Sequence, residues 1–327
     1  MSWIGAYKKK DICYSRCMET IILFYKYTHL ENPQAIKEWQ LVLCNELGLT
    51  GRIVLAHEGI NGTLAGHCEA IEEYCARMEA HASFGGIDFK TSPGTKSDFP
   101  RLQIKVKEEI VKMGVDPKKI TARTGGKHLS PAQANKLIQD APQELVILDA
   151  RNNYESRIGA FKGALTPDIK HFRDFPHYVD TNQEQFKDKI VLMYCTGGIR
   201  CERASAYVKE VTSAQEVYQI EGGIHRYVEQ FPQGFFKGKN YVFDARIASP
   251  VSEDILSTCD LCTTSCDTYA NCINALCNKH FIVCSSCKDQ YKNACSTRCK
   301  DGVLSGSLPR RPQGYRNQPQ SSSCSIK

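Results

Sequence analysis

Cys195 is the residue on which chemistry is most readily placed. It stands in Tyr194-Cys195-Thr196-Gly197-Gly198-Ile199-Arg200-Cys201-Glu202. The apolar run Lys189-Ile190-Val191-Leu192-Met193 before it reads as a buried strand, and Arg203-Ala204-Ser205-Ala206-Tyr207-Val208 after it as a helix. The cysteine therefore falls in a tight glycine-containing loop between a strand end and a helix start. Backbone N–H groups there lack intrahelical partners and favour an anion. A thiolate so placed has a lowered pKa and is a usable nucleophile near neutrality. Arg200 adds a fixed positive charge. Cys195 and Arg200 are the catalytic candidates, with Thr196, Gly197, Gly198, Ile199 and Cys201 forming the loop around them.

A second set of cysteines has different spacing. Of the 17 in the chain, nine lie between Cys259 and Cys299. Tetrahedral zinc needs four thiolate or imidazole ligands. The CxxC pairs Cys259/Cys262 and Cys284/Cys287 suit one all-thiolate site, and Cys272, Cys277, Cys295 and Cys299 suit a second. Cys266 and His280 are spare candidates, so spacing does not make the assignment unique. A reduced cysteine cluster and an iron–sulfur cluster are the alternatives to structural zinc. A segment this short has little core of its own, and bound metal would supply folding energy.

Positive charge marks a third region. Residues 87–127 carry ten basic side chains against five acidic ones. Lys96, Arg101, Lys105, Lys107 and Lys112 are the candidates for tracking a nucleic-acid backbone. The bland reading is a solvated strand face, since 102–107 alternates apolar with polar or basic residues. The whole 327-residue chain is only mildly basic, at +6. That permits a nucleic-acid partner without requiring one.

The elements that must position these residues can be read in order. Residues 1–19 are an extension. Residues 20–115 give strand–helix–strand–strand–helix–strand, the ferredoxin-like α/β pattern. Its strands are expected at 21–27, 52–56, 62–65 and 87–90, and its helices from Pro33 to Gly48 and over 69–81. The loop His57-Glu58-Gly59-Ile60-Asn61 offers ligand-touching side chains, but a tight hairpin needing its glycines is the favoured reading. A basic linker covers 116–127. Residues 128–240 alternate strands and helices, as a doubly wound parallel sheet does. Reactive groups in such sheets lie beyond the carboxyl ends of strands. Cys195 is at one such end and Asp149 at another. Asp149 and Arg151 either orient groups near Cys195 or form a structural ion pair, the favoured reading. Residues 241–301 form the Cys-rich module, and 302–327 a polar tail expected to be disordered. No run is long enough to span a membrane, and a secretory core is lacking, so the protein reads as cytoplasmic. No GxGxxG loop signals a nucleotide cofactor. Nothing in the sequence sets an oligomeric state.

The loop from Cys195 to Arg200, with Asp149-x-Arg151 upstream and Glu221-Gly222-Gly223 downstream, resembles the rhodanese domain. Together with His57-Glu58-Gly59-Ile60-Asn61-Gly62-Thr63, Phe99-Pro100-Arg101-Leu102 and the cysteine-rich end, it resembles the bacterial tRNA uridine hydroxylase family over roughly residues 20–300. The resemblance implies an enzyme that installs a 5-hydroxyl on the wobble uridine (position 34) in the anticodon loop of tRNA. Molecular oxygen is the co-substrate, and the cysteine matched by Cys195 is essential. The family often has paired cysteines where Ala294-Cys295 stands here, so one possible ligand is missing. Two other readings remain: a sulfurtransferase carrying a persulfide on Cys195, and a non-catalytic zinc-stabilised RNA-binding scaffold. A cysteine phosphatase fits poorly. Those enzymes have five residues between cysteine and arginine, and here there are four.

Overall fold

The computed structural model describes residues 19–312. Of the extension read at 1–19, residues 1–18 lie outside the described residues and Glu19 is instead the first residue of a strand; residues from 313 onward also lie outside the described residues. The described chain divides into two compact units, one of residues 19–152 and 163–231, the other of 153–162 and 232–312.

The first unit opens with β1 (Glu19–Tyr27), α1 (Pro33–Glu46), β2 (Thr50–Ala56), β3 (Gly59–His67), α2 (Cys68–Ala80), β4 (Lys90–Pro93) and β5 (Leu102–Val106). The sheet order is β4-β1-β3-β2-β5. The first four strands follow the ferredoxin-like order, and β5 extends the sheet parallel to β2. Asn32 caps α1 by accepting from the Ala35 N–H at 3.0 Å, with Pro33 in the first turn. Alternation along β1 sends Ile22 and Phe24 into the core with Leu43, Ile71, Tyr74 and Phe89. It leaves Leu23, Tyr25 and Tyr27 on the opposite face.

Two boundaries differ from expectation. The β2–β3 turn is only His57-Glu58, because Gly59, Ile60 and Asn61 already pair with β1 and β2. The fourth strand begins at Lys90 rather than ending there, because Phe84 and Ile87 fill the core ahead of it.

The same unit continues with β6 (Lys127–Leu129), α3 (Pro131–Asp140) and β7 (Leu145–Asp149). The chain then leaves for α4 (Asn153–Ser156) and β8 (Gly159–Phe161) of the second unit. It returns with α5 (Phe175–Thr181), β9 (Ile190–Tyr194), α6 (Ile199–Val211), β10 (Glu216–Ile220) and α7 (Gly223–Gln230). The parallel sheet runs β6-β10-β9-β7. A Ser130–Gln133 capping box starts α3. Val191, Leu192, Met193 and Tyr194 of β9 are all buried, as a central parallel strand covered on both faces requires.

The second unit adds β11 (Phe236–Tyr241), β12 (Ala248–Pro250), β13 (Tyr269–Asn271), β14 (His280–Ile282), α8 (Ser285–Gln290) and α9 (Thr297–Leu304). Antiparallel β12-β11-β8 forms one sheet, and β13-β14 pairs as a ribbon. Phe281, Ile282 and Val283 pack with the cysteines into one core. Residues 302–312, expected in a disordered tail, are ordered. Arg311 donates to the Cys272 carbonyl at 2.9 Å and to Asn278 Oδ1 at 2.7 Å. These bonds satisfy carbonyl and amide groups of the cysteine-bearing loops, which is why the chain beyond α9 is held down.

Candidate active site

Cys195 follows the last residue of β9, and its side chain is fully buried. Helix α6 starts at Ile199, four residues before the expected 203, so Arg200 and Cys201 lie in its first turn. Gly198 precedes the helix at φ 104°, a conformation that only glycine adopts without strain. Its N–H donates to Cys195 Sγ at 3.1 Å. Burial pushes the Cys195 thiol up. The Cys201 thiol, the Arg200 charge and the backbone N–H groups of Arg200 and Cys201 outweigh it and hold the group down at about 5. Burial first, and then the neighbouring Cys195 sulfur, push the Cys201 thiol well above its ordinary value. The two loop cysteines are thus unequal: Cys195 is the thiolate and Cys201 a donor to it.

The loop is pinned from behind. Arg200 is buried and donates to Thr196 Oγ1 at 3.3 Å. The turn at Glu221-Gly222-Gly223 supplies the N–H of Ile224 to the Cys195 carbonyl at 2.9 Å and that of His225 to the Thr196 carbonyl at 3.1 Å. A Cβ on Gly223 would lie 2.3 Å from the Cys195 carbonyl oxygen. That close approach is the physical content of the second glycine pair.

Asp149 and Arg151 bond to one another. Arg151 Nη2 lies 2.6 Å from Asp149 Oδ2, both side chains are fully buried, and the guanidinium stands 5.4 Å from the Tyr194 ring centre. The pair fixes the turn after β7, beside the start of the cysteine loop: the Ala150 N–H donates to the Tyr194 carbonyl at 2.9 Å.

The N-terminal sheet supplies groups that sequence reasoning missed. Leu23 lies against Gly197, Tyr25 against Gly198, and Tyr27 Oη donates to the Ile199 carbonyl at 3.4 Å. Tyr25 Oη donates to Glu202 Oε1 at 2.8 Å. His128 Nε2 lies 3.1 Å from the same oxygen, and Gln219 Nε2 donates to Glu202 Oε2 at 3.2 Å. Lys90 is buried, 2.7 Å from Asp88 Oδ2 and 5.2 Å from the Tyr25 ring centre. The alternation of β1 was the available signal: Tyr25 and Tyr27 share a face opposite the helices.

The loop read at 57–61 has a structural use. Glu58 accepts from the Ile110 N–H at 2.8 Å, and Asn61 donates to the Ile110 carbonyl at 3.1 Å. The buried Arg203 guanidinium lies 3.8 Å from Glu58 and donates to Glu109. These bonds fasten the segment that leaves β5. Of the basic candidates, Arg101, Lys105, Lys107 and Lys112 are exposed, while Lys96 is half-buried with its N–H on Glu19 Oε2 at 2.8 Å.

In the second unit, eight cysteines form two groups. Cys259, Cys262, Cys284 and Cys287 make one, and Cys272, Cys277, Cys295 and Cys299 the other; within each, all sulfurs lie within 4.8 Å of one another. The Cys262–Cys284 separation is 3.6 Å and the Cys277–Cys295 separation 3.5 Å. Zinc–sulfur bonds of about 2.3 Å put tetrahedral sulfurs roughly 3.8 Å apart, so both groups fit the metal. Neither spare candidate joins them. His280 stacks on Tyr269 at 4.2 Å, with its Nδ1 2.9 Å from Asn271 Oδ1. Cys266 accepts from the Thr268 N–H at 3.5 Å. Ala294 is buried in the core, and the second group is complete without a cysteine there.

Comparison with known proteins agrees with this layout. Residues 19–110 match the UPF0176 acylphosphatase like domain, 130–230 the Rhodanese-like domain and 237–300 the Rhodanase C-terminal domain. The tRNA uridine(34) hydroxylase of Cytophaga hutchinsonii is 41% identical over 307 residues, covering 90% of this chain and 96% of that protein. The protein of the same name from Corynebacterium urealyticum is 41% identical over 277 residues, 82% of this chain and 92% of its own. The Rhodanese-like domain-containing protein 6 of Arabidopsis thaliana is 41% identical over 292 residues, 82% of this chain and 50% of its own. With an acylphosphatase-like domain, a rhodanese-like domain and its C-terminal partner in the same order as relatives matched over nearly their full length, the chain belongs to the tRNA uridine(34) hydroxylase family.

Proposed function

We propose that this chain hydroxylates C5 of the wobble uridine, position 34, of tRNA, with Cys195 as nucleophile and molecular oxygen as co-substrate. The observation that carries the reading is the Cys195 thiol, held down at about 5 in a cradle of N–H groups and Arg200. The family name supplies the reaction. The thiolate adds to C6 of uracil and makes C5 electron-rich; one oxygen atom then goes to C5, and the other leaves as water with two electrons from an external reductant. Arg200 and the N–H groups stabilise the sulfur anion when it is free, before addition and after release. Thr196, Gly197, Gly198, Ile199 and Cys201 shape that cradle. Asp149 and Arg151 support it by fixing the neighbouring turn.

The target base lies in the single-stranded anticodon loop, where it can be splayed from its neighbours and read on its edges. Arg101, Lys105, Lys107 and Lys112, with Lys96 at the margin, hold the phosphates. The two cysteine groups hold structural zinc, four thiolates each. Bound there, zinc supplies folding free energy to the second unit and takes no part in the reaction. Among the described residues no helix is long and apolar enough to cross a membrane. The proposed substrate places the work in the cytoplasm.

A second reading rests on the same cradle, which would also hold a persulfide on Cys195 and serve sulfur transfer. Mass spectrometry of tRNA nucleosides from a strain lacking the protein separates the two. Loss of 5-hydroxyuridine, restored by the wild-type chain and not by Cys195→Ala, supports hydroxylation. Loss of a thiolated nucleoside instead identifies a sulfurtransferase. Restoration by Cys195→Ala would reduce the chain to a scaffold.

A further inference from the structure

The cradle explains a thiolate but leaves one requirement of C5 substitution unmet. A persulfide transfer needs only an anion site. Replacing hydrogen at C5 must also dispose of a proton, and the Cys195 side chain beside which it leaves is fully buried, so a carrier to solvent is needed. The Glu202 carboxylate is placed to provide one. It sits in the first turn of α6, next to Cys201 and 11% exposed. On one side Tyr25 Oη donates to its Oε1 at 2.8 Å. A Cβ on Gly198 would lie 2.7 Å from that same phenol oxygen, and the Gly198 N–H is the one that bonds Cys195 Sγ. On the other side His128 Nε2 lies 3.1 Å from Glu202 Oε1, with the imidazole side chain 48% exposed. Gln219 holds the second carboxylate oxygen still at 3.2 Å.

We propose that Tyr25, Glu202 and His128 form a proton relay carrying the hydrogen that leaves C5 of uridine from the Cys195 loop to solvent. The inference rests on the C5 hydroxylation proposed above. In the closing step of a C6-thioether route the C5–H bond breaks. Its electron pair forms the C5=C6 double bond, the C6–S bond breaks, and Cys195 departs as thiolate. The Tyr25 oxygen takes the proton as its own phenol proton passes to Glu202. Glu202 passes a proton to His128 Nε2, and the imidazole loses its Nδ1 proton to water. Glu202 and His128 are positioning residues in this scheme, since they act through Tyr25. It also gives the N-terminal domain a chemical task, because the first member of the relay is on β1.

The pH sign follows from the surroundings of His128. Glu202 and Glu221 face it, Gln219 is neutral, and the adjacent Lys127 is paired with Glu216 at 3.1 Å. Tyr25 in turn faces Glu202, Lys90, Cys195 and Cys201. The bond to Glu202 is the largest influence on the imidazole and raises its pKa. His128 must be neutral to accept, so the rate falls as pH drops through its raised value.

The test uses the purified full chain with oxygen, a chemical two-electron reductant and tRNA carrying tritium at C5 of uridine, following tritium release and, separately, iodoacetamide alkylation of Cys195. Tyr25→Phe is expected to slow tritium release at least tenfold while alkylation stays within twofold of wild type. His128→Gln is expected to remove the acid limb of the release profile, again with alkylation unchanged. Wild-type release rates and profiles in both variants overturn the relay. So does an equal fall in alkylation and release, which would mark Tyr25 as support for the loop alone. Wild-type protein that alkylates normally and releases no tritium overturns the hydroxylase reading, and the relay with it.

Discussion

Cys195 and the eight clustered cysteines meet the same difficulty, a negative sulfur inside protein, by different means. At the loop one sulfur is served by donors spread over few residues: the Gly198 N–H, the first turn of α6, the Cys201 thiol and Arg200. The second sulfur there, Cys201, is held as a thiol and donates to it, so the charge stays on Cys195 and available for reaction. In the second unit four sulfurs face one another in each group, within 4.8 Å. That arrangement suits a shared divalent ion, and a closed four-thiolate site is spent on structure. The lesson is that neither burial nor cysteine type decides reactivity. The number of sulfurs that share a neutralising partner does.

The largest effect that would sharpen this contrast is on stability. Replacing Cys272 by Ser opens one metal site, and structural zinc sites are worth about 10–16 kcal/mol. Thermal unfolding of the second unit is expected to collapse, with zinc lost on metal analysis, while Cys195→Ser keeps the full metal content. Equal zinc stoichiometry in wild type and Cys272→Ser would break the comparison.

Next in size is the loop's charge. Arg200→Ala is expected to raise the Cys195 pKa and slow its alkylation at pH 4 by about tenfold, the effect of roughly one pKa unit below both values. In wild type the thiol is lowered from 9.0 to about 5. Alkylation should therefore be flat above about pH 6 and fall below it. A folded pKa below the unfolded one gives stability that is full above the unfolded value and is lost as pH falls toward the folded one. The Cys195 contribution should thus shrink from pH 9 to pH 5, and Cys195→Ser should flatten the melting temperature across that window. A variant that keeps the wild-type slope would assign the pH dependence elsewhere.

Backbone strain comes third. Gly198→Ala forces an L-residue to φ 104° with its Cβ against Tyr25. The expected loss is about 1–3 kcal/mol by chemical denaturation. The smallest effect is at the exposed lysines at the end of β5. Each of Lys105→Gln and Lys107→Gln should reduce the slope of log affinity for tRNA against log salt by about one. An unchanged slope would remove β5 from the RNA surface.

Much of this was legible in the chain because it was local. Apolar runs, caps and glycine turns located the ferredoxin-like order and the parallel sheet, and CxxC spacing put Cys259, Cys262, Cys284 and Cys287 together, while the second group of four, which the fold also brings together, was one assignment among several. The helix start at Ile199 was not read, because Gly198-Ile199-Arg200 carries no Ser, Thr, Asp or Asn cap; a glycine at positive φ fills that role. The Tyr25–Glu202 bond was out of reach for a different reason. Its partners are 177 residues apart and join only when the open face of the first sheet meets the loop. Arg311 was misread because polar composition says nothing of the two acceptors that hold it.

The central claim is that one thiolate, Cys195, does chemistry on tRNA while the other clustered sulfurs hold structure. Nucleoside mass spectrometry of tRNA from a deletion strain, complemented with wild type or Cys195→Ala, tests it most directly. The account predicts 5-hydroxyuridine with the wild-type chain and none with Cys195→Ala, both proteins being present at equal level with two zinc ions each. Normal 5-hydroxyuridine in the Cys195→Ala strain would contradict it.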